Sequence, residues 1–311
     1  MRPRSKISPV GSVLACLPRS GGVAVIRLRS LGDCVLTTPA LDILKRCRAD
    51  VRVAVMVEDR FRAIFEDHPD VDEILPPSLK ALRRFHPALC LNLHGGTRSA
   101  WMTALSGARW RAGFGHFRHP WVYNVRIPRA QQILGIERKV HTAEHLASAI
   151  FFLGAPVEEI PRARLVAAAP AAAKSYAVIH PVAAAPEKTW RAEGFLAVAA
   201  RLREWGLEPV FIGGREDDLT PFGAFRTVSG APLGEIKSLV SGASLFVGND
   251  SGPAHMAAAF GVPVVALFGP SDPAIWGPWR TASEVISSPQ GIGAIETARV
   301  LDALGRLRVA A

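Results

Sequence analysis

Short apolar stretches alternate with helical patterns along almost the whole chain, and this alternation limits the fold more than any other feature of the sequence. Residues 23–28 and 51–57 are predicted to be buried strands, and a helical pattern at 34–45 lies between them. Strands that alternate with helices are typical of βαβ units, in which the strands run parallel and helices cover the faces of the sheet. The sequence therefore predicts an α/β fold built on parallel sheets.

The alternation is interrupted once, by the Ala- and Pro-rich segment "RLVAAAPAAAKS" at residues 164–175. It then resumes with a predicted strand at 176–180, and the 311 residues leave room for two domains of ordinary size. We interpret the segment as a linker between two Rossmann-like domains, at 23–167 and 168–311, with a cleft between them. Ligands of such sheets bind beyond the carboxyl ends of the strands, so the strand-to-helix loops are the places to search for chemistry.

The first 22 residues are predicted to be a flexible leader. Basic residues precede a small apolar patch, as in a signal peptide, but the patch is short and is diluted by Gly11 and Ser12. No apolar run approaches the ~20 residues that span a bilayer. The four cysteines show no C-x-x-C pair, which is typical of free thiols in a reducing compartment. These features predict a cytoplasmic protein.

Positive charge is concentrated in the first half of the chain. Residues 1–167 carry 25 Lys and Arg against 14 Asp and Glu, whereas residues 168–311 carry 12 against 13. No acidic residue occurs between Glu73 and Glu137, although nine basic residues do. Such a segment is expected to meet an anionic partner: nucleic acid, a membrane surface, or a substrate rich in phosphate or carboxylate.

The clearest local motif is "LFVGNDSGPAHMAAAF" at residues 245–260. It predicts a strand that ends at Gly248, a turn at 249–252, and a helix with Pro253 in its first position. Backbone N–H groups at Ser251 and Gly252 and the positive helix end would then form a phosphate site. Alternatively, Asp250 or Ser251 only caps the helix and His255 is a solvated first-turn residue. A second small-residue turn, at 268–273, would line the same cleft, and together the two turns favour a nucleotide diphosphate.

Two further loops of the second half have candidate binding residues. Lys188, in "IHPVAAAPEKTW" at 179–190, either neutralises a phosphate or is a surface lysine. The segment "FIGGREDD" at 211–218 lacks a full G-x-G-x-x-G pattern, so a dinucleotide cofactor is poorly supported. Glu216 or Asp217 in that segment either accepts ribose hydroxyls or belongs to a solvated helix start.

Two loops of the first half also follow predicted strands. In "SLGDCVLTTPA" at 30–40, Gly32 would let the chain lie close to a substrate, and Asp33 is either a helix cap or the reacting group of an enzyme. In "NLHGGTRSAW" at 92–101, Arg98 and Ser99 open a helix. Arg98 either holds an acidic group bidentately or is a surface arginine.

Three of these segments, in this order and spacing, resemble glycosyltransferase family 9, the ADP-heptose:lipopolysaccharide heptosyltransferases. They are "IRLRSLGDCVLTTPAL", "HP…EKTW", and the long segment that begins "SLVSGASLFVGNDSGPAH" and ends "FGPSDP". The resemblance runs from about residue 23 to 280. It implies a GT-B fold, in which two Rossmann-like domains face a central cleft, and an inverting transfer without a covalent intermediate. It also implies a lipopolysaccharide core acceptor on the N-terminal domain.

The resemblance also implies roles for individual residues. Asp33 matches the aspartate proposed as general base, and Lys188 matches a lysine near the donor phosphates. Gly32, Arg98 and Ser99 are expected on the acceptor side. The expected donor-binding residues, besides Lys188, are Glu216, Asp250, Ser251, Gly252 and His255.

Two residues depart from the family pattern. Val182 stands where a glycine of an "HPG" motif is common, which makes that loop less permissive toward the donor. Asn92 stands where an aspartate is common, and is expected to alter recognition of the acceptor.

Together these features predict a transferase that moves a heptose or related sugar from an ADP-sugar to a hydroxyl of an anionic, lipid-linked saccharide. We expect no cofactor and no metal, because no D-x-D cluster stands in the cleft loops. We expect the protein at the cytoplasmic face of the inner membrane, in peripheral contact with it, and no nucleic-acid partner. The alternatives are a GT-B-like sugar-nucleotide epimerase and a non-catalytic polyanion-binding protein. The latter is disfavoured because no aromatic stacking motif is visible in the basic half.

Overall fold

The computed structural model of the chain describes residues 12–168 and 175–310. Its contacts divide the described chain into two compact units. The first contains the residues up to Arg29 and from Thr37 to Pro161, and the second contains Ser30–Leu36 and the residues from Arg162 onward. The start of helix α1 (Leu31–Cys47) therefore belongs to the second unit.

The first unit is built on a six-stranded sheet in the order β3-β2-β1-β4-β5-β6, and every neighbouring pair is parallel. This is the strand order of the dinucleotide-binding α/β fold, with its crevice between β1 and β4. Its strands are β1 (Gly22–Ile26), β2 (Arg52–Met56), β3 (Glu73–Leu75), β4 (Pro87–Asn92), β5 (Trp110–Phe114) and β6 (Val125–Ile127). Its remaining helices are α2 (Leu79–Phe85), α3 (Thr97–Ala104), α4 (Ala130–Leu134) and α5 (Thr142–Leu153).

The second unit repeats this arrangement with the order β12-β11-β10-β7-β8-β9, again parallel throughout. The direction of winding reverses between β7 and β10, which places the binding crevice there. Its strands are β7 (Tyr176–His180), β8 (Glu208–Gly213), β9 (Arg226–Ser229), β10 (Leu245–Asn249), β11 (Val264–Phe268) and β12 (Ser283–Ser287). Its helices are α6 (Ala192–Glu204), α7 (Leu233–Ser241), α8 (Gly252–Phe260), α9 (Pro273–Trp276) and α10 (Thr297–Ala310).

The central strands form because their residues are β-branched or apolar on both faces. All residues of β1, β10 and β11 are buried, as expected for parallel strands covered by helices on each side. Trp190 is buried in the core of the second unit, where its indole N–H donates to the carbonyl of Ile295 at 2.9 Å. Trp190 is therefore a packing residue of that core.

The predicted α/β architecture with parallel sheets is confirmed, but several elements were not predicted. These are α2, β5, β6, α4, β9, α9, β12 and α10. The interior strand β5 ("WRAGF") and the edge strand β9 ("RTVS") combine arginine with small or polar residues and lack a continuous apolar run. Such strands form because a neighbouring strand offers its hydrogen-bonding edge, and that is a tertiary effect.

The predicted leader extends too far along the chain, because its second half is packed against the first unit. Val13, Leu14 and Leu17 are buried, and the Leu14 N–H donates to the carbonyl of Leu153 at 3.0 Å. Residues 12–21 therefore belong to the packed first unit, whereas the first eleven lie outside the described residues. The middle of the predicted linker, residues 169–174, lies outside them as well. None of the helices within the described part of the chain combines the length and apolar character that crossing a bilayer requires.

Candidate active site

A pocket of about 570 Å³ lies in the second unit, beyond the carboxyl ends of the strands on either side of the β7–β10 crevice. The loops after β7, β8, β10 and β11 contribute to it, together with the start of α1. Its lining includes Ser30, Leu31, Gly32, Asp33, His180, Val182, Ala183, Ala184, Lys188, Asp217, Asp250, Ser251, Gly252, Pro253, His255, Ser271 and Trp276. The structure thus brings seven of the ten predicted site residues into one pocket.

The turn between β10 and α8 has the predicted form, shifted by one residue at each end. The strand continues to Asn249, Asp250 and Ser251 make the turn, and Gly252 begins the helix. Ser251 occupies the N-cap position, but its side chain bonds no helix N–H group. Its hydroxyl shares a 3.0 Å hydrogen bond with Nδ1 of His180 instead. The backbone donors at the start of α8 are therefore not capped by this side chain, and they face the pocket as a helix end that attracts anions.

His180 ends β7 and lies directly across the crevice from this turn, since it pairs with Gly248 of β10. Removal of its ring from water lowers the pKa of His180 to about 4, against a smaller raising effect of the Asp217 carboxylate. The ring is consequently neutral at physiological pH and bonds Ser251 without adding charge to the pocket. Sequence reasoning did not select His180, although its place at the end of a buried strand was a usable signal.

Lys188 and Asp250 form an ion pair within the pocket. Lys188 ends a short 3₁₀ turn, Pro186–Lys188, and its Nζ lies 3.8 Å from Oδ2 of Asp250. Burial raises the pKa of the Asp250 carboxyl, while a hydrogen bond with Ser271 and the charge of Lys188 lower it. About a third of the Lys188 side chain remains exposed, so the ammonium group is open to a ligand as well as to Asp250.

Asn249 holds both ends of the loop that contains Lys188 against β10. It was not among the predicted site residues. Its side chain is fully buried; Nδ2 donates to the carbonyl of Pro181 at 2.9 Å, and Oδ1 accepts the N–H of Trp190 at 3.1 Å. Both ends of the loop are thereby fixed to the strand that leads into the anion-binding turn. An amide at the end of an otherwise apolar strand was the signal available in the sequence.

Asp33 lies in the first turn of α1 and has the contacts of a capping residue as well as a place in the pocket. Its Oδ2 accepts the hydroxyl of Ser30 at 3.1 Å and the backbone N–H of Ser30 at 3.5 Å. A carboxylate at this helical position stabilises the free N–H groups of the helix start. The two interpretations of Asp33 are therefore compatible, because the capping contacts hold the carboxylate at the pocket wall.

Gly32 and Gly252 allow the starts of α1 and α8 to approach closely. A Cβ atom on Gly32 would lie 2.5 Å from Cδ2 of His255, and one on Gly252 would lie 2.6 Å from the Leu31 side chain. Gly32 was predicted to contact the acceptor; the structure gives it a packing role against the buried ring of His255.

Replacing Gly32 by alanine is expected to destabilise the protein by about 1–3 kcal/mol, the usual cost of overpacking a filled site. The matched control is Gly234→Ala in α7, where a Cβ atom would meet nothing within 4 Å. That control is expected to be neutral or to stabilise the helix by up to ~1 kcal/mol. Urea unfolding of the two variants measures the difference, and equal stabilities would show that the α1–α8 approach is not tightly packed.

The predicted ribose contact Glu216 is exposed and does not line the pocket, whereas its neighbour Asp217 does. The Asp217 carboxylate folds back over the turn that follows β8 and accepts the N–H of Gly214 at 2.6 Å. The turn therefore directs Asp217, and not Glu216, toward the pocket, which corrects that assignment by one residue.

Arg98 and Ser99 lie in the first unit, where α3 begins. The Ser99 hydroxyl is fully buried, donates to the carbonyl of Gly96 at 2.8 Å and accepts from Asn92 at 3.1 Å. Its predicted contact with the acceptor is therefore wrong, because the hydroxyl is occupied inside the domain. Arg98 is exposed and donates to the carbonyl of Pro77 at 3.0 Å, and its role toward an acceptor stays a prediction.

The two departures from the family pattern have different structural settings. Val182 lines the pocket and packs against the core of the second unit. Asn92 is fully buried and donates to both Ser99 and Tyr123, which an ionised aspartate cannot do. Asn92 is thus a structural residue that ties α3 to its sheet, and an effect on acceptor recognition would be indirect.

Across residues 12–168 and 175–310, no three or more His, Cys, Asp or Glu side chains come together in a way that would hold a metal ion. The chemical groups around the pocket are the carboxylates of Asp33, Asp217 and Asp250, the ammonium group of Lys188, the imidazoles of His180 and His255, and the starts of α1 and α8. This set suits an anionic ligand with a transferable group beside it.

The chain is similar in sequence and in fold to known glycosyltransferases. The sequence model of glycosyltransferase family 9 (heptosyltransferase) matches residues 78–299 of the chain. Lipopolysaccharide heptosyltransferase 3 of Escherichia coli strain K12 is 26% identical over 292 residues, which cover 81% of this chain and 83% of that protein.

Two solved structures share the fold over more than nine-tenths of the chain. A family 9 glycosyl transferase from Veillonella parvula has a TM-score of 0.82 at 21% identity, and covers 94% of this chain and 98% of its own. E. coli heptosyltransferase WaaC, solved with ADP-2-deoxy-2-fluoro heptose, has a TM-score of 0.74 at 19% identity, with coverages of 92% and 99%. These likenesses confirm the predicted GT-B class of α/β fold.

Proposed function

The chain belongs to glycosyltransferase family 9, and from this premise we propose that it transfers a heptose, or a related sugar, from an ADP-sugar to a hydroxyl of the lipopolysaccharide inner core. Two observations on relatives support the choice of substrates. The curated relative reported above is a lipopolysaccharide heptosyltransferase, and the WaaC structure holds an ADP-heptose analogue. The chain covers most of the length of both proteins.

The observation that carries the proposal is the pairing of an anion-binding helix start with a carboxylate in one pocket. A departing nucleoside diphosphate gathers negative charge as the glycosidic bond breaks. The backbone N–H groups at the start of α8 and the ammonium group of Lys188 are suited to stabilise that charge. Asp217 lines the same pocket and is suited to accept ribose hydroxyls.

Asp33 is the group suited to act on the acceptor. The attacking hydroxyl must lose its proton as it bonds the anomeric carbon, and a carboxylate at the pocket wall can take that proton. A base in this role requires no bond between the enzyme and the sugar, which is consistent with single-step transfer and inversion. No cofactor enters this scheme, and the leaving group is stabilised by protein groups alone.

The epimerase alternative is not favoured, because the family is one of transferases. The polyanion-binding alternative is set aside on the same ground, although the basic half does expose two aromatic rings, those of Trp101 and Trp121. We further propose that the protein works in the cytoplasm, at the periphery of the inner membrane where a lipid-linked acceptor would lie.

The test is a transfer assay with a panel of nucleotide sugars and a deacylated, heptose-free inner-core oligosaccharide. The expected result is ADP release that depends on the acceptor, with a mass gain of one heptose and inversion at the anomeric carbon in the NMR spectrum. Donor consumption without a sugar added to the acceptor would instead establish hydrolysis or epimerisation. Binding of none of the nucleotide sugars in a thermal-shift screen would overturn the proposal.

A further inference from the structure

The first unit exposes three large apolar side chains in one stretch of sequence. Trp101 is 52% exposed, Leu105 is 46% exposed and Trp121 is 64% exposed. Tryptophan is expensive to leave in water, because its large ring is one of the most strongly buried side chains on average. Two exposed tryptophan rings and a leucine on one small region require an explanation other than folding.

The fold brings these side chains to the same region of the surface. Trp101 and Leu105 are one turn apart at the end of α3, and Trp121 lies in the 3₁₀ turn Pro120–Val122, which packs against α3. Ala100 and Val122 are buried in that contact, and each is the chain neighbour of one of the tryptophans. A 3.1 Å hydrogen bond between Thr97 and His119 ties the two elements together.

Two exposed arginines lie close to Trp121 in the chain. Arg118 precedes Trp121 in the same loop, and Arg126 follows on β6; both are exposed. The chain has no acidic residue from 74 to 136, so no carboxylate of this segment offsets them. We use the term aromatic–basic surface for Trp101, Leu105, Trp121, Arg118 and Arg126.

We propose that the aromatic–basic surface docks the protein on an anionic lipid bilayer. Tryptophan rings settle at the level of the headgroups, where one edge is apolar and the other is wet, and arginines beside them attract the negative charge of anionic lipids. A second copy of this chain is a poorer occupant, because apposing two such surfaces would bring arginines against arginines. This inference rests on the proposed function in one respect: the acceptor of the proposed transfer is linked to a lipid.

The test is sedimentation of the full-length protein with vesicles that contain phosphatidylglycerol, against vesicles of phosphatidylcholine alone. Wild type is expected to bind the anionic vesicles preferentially. Trp101→Ala combined with Trp121→Ala should weaken this binding at least about tenfold, from the apolar area withdrawn. Arg118→Gln combined with Arg126→Gln should weaken it about fivefold for each arginine and flatten its dependence on salt.

Two matched controls lie outside the surface. Val157→Ser removes another exposed apolar side chain, which is 66% exposed, and Arg299→Gln removes another exposed arginine. Both should bind vesicles as wild type does. The pair Trp101→Phe and Trp121→Phe should retain most of the binding, which guards against loss through misfolding.

Transfer to the soluble, deacylated acceptor separates this inference from the proposed function. The surface variants should retain that activity; absence of transfer in wild type would refute the function and leave the vesicle result standing. Failure of wild type to prefer anionic vesicles, or equal binding by the tryptophan variant, would overturn the inference. It would also be overturned if the variants lost binding to single-stranded RNA and not to vesicles, or if they abolished a dimer in sedimentation velocity.

Discussion

Replacing Asp33 by asparagine should lower the turnover of sugar transfer about 10²–10⁴-fold, the usual contribution of a positioned general base. The amide cannot take the proton that the acceptor hydroxyl loses, yet its oxygen can still accept the bond from Ser30 that Asp33 accepts at 3.1 Å. The start of α1 should therefore remain formed. Steady-state assays give turnover, and titration with the nucleotide sugar should give nearly unchanged donor affinity.

The control separates catalysis from capping. Ser30→Ala removes the hydroxyl that bonds Asp33 but leaves the carboxylate in the pocket. Its loss of turnover should stay within severalfold, although loss of the side-chain hydrogen bond costs about 1 kcal/mol of stability. If Ser30→Ala and Asp33→Asn reduced turnover equally, Asp33 would be a positioning and capping residue, and the base would have to be another group.

The parts of the site that could be predicted from the sequence are those whose structure is local. The turn after β10 is fixed by a buried strand, two small residues and a proline, all within a few positions, so the anion-binding helix start could be predicted. The start of α1 is local in the same sense. Gly32 and Asp33 were selected because they lie where a predicted buried strand passes into a predicted helix, and because Asp33 matches the aspartate of the family motif.

The parts that escaped prediction depend on strand register. His180 meets Ser251 only because β7 and β10 are neighbours in the sheet, although 71 residues separate them in the chain. Asn249 reaches Pro181 across 68 residues for the same reason. No local pattern carries that information, since strand order is decided by the packing of the whole sheet.

Exposure is a second property that the sequence pattern did not reveal. Ser99 opens α3 as predicted, but the hydrogen bond from Asn92 turns its hydroxyl inward. Trp101, two residues later, is turned outward. The direction of each side chain follows from which face of α3 packs on the sheet, and the short, mixed sequence of α3 does not determine that face.

Replacing Lys188 by methionine should lower kcat/KM for the donor about 10²–10³-fold, because a fixed positive charge that stabilises the leaving diphosphate would be lost. Methionine has a similar length and keeps the apolar part of the contact, so the 3₁₀ turn at Pro186–Lys188 should persist. The same change should raise the pKa of Asp250 further, since Lys188 is one of the groups that lower it. Steady-state kinetics with saturating acceptor measure the loss.

The ion pair with Asp250 offers a second explanation for such a loss, and a double-mutant cycle distinguishes the two. The Nζ–Oδ2 distance of 3.8 Å allows Lys188 to act either on the donor or only on the mostly buried carboxylate. If Lys188 acts on the donor phosphates, Lys188→Met should cost the same in wild type and in Asp250→Asn, with little coupling between the sites. If Lys188 only neutralises Asp250, the cost should vanish once that charge is gone. We expect the first result, because a third of the lysine side chain remains exposed beside the start of α8, where the leaving diphosphate would gather its charge.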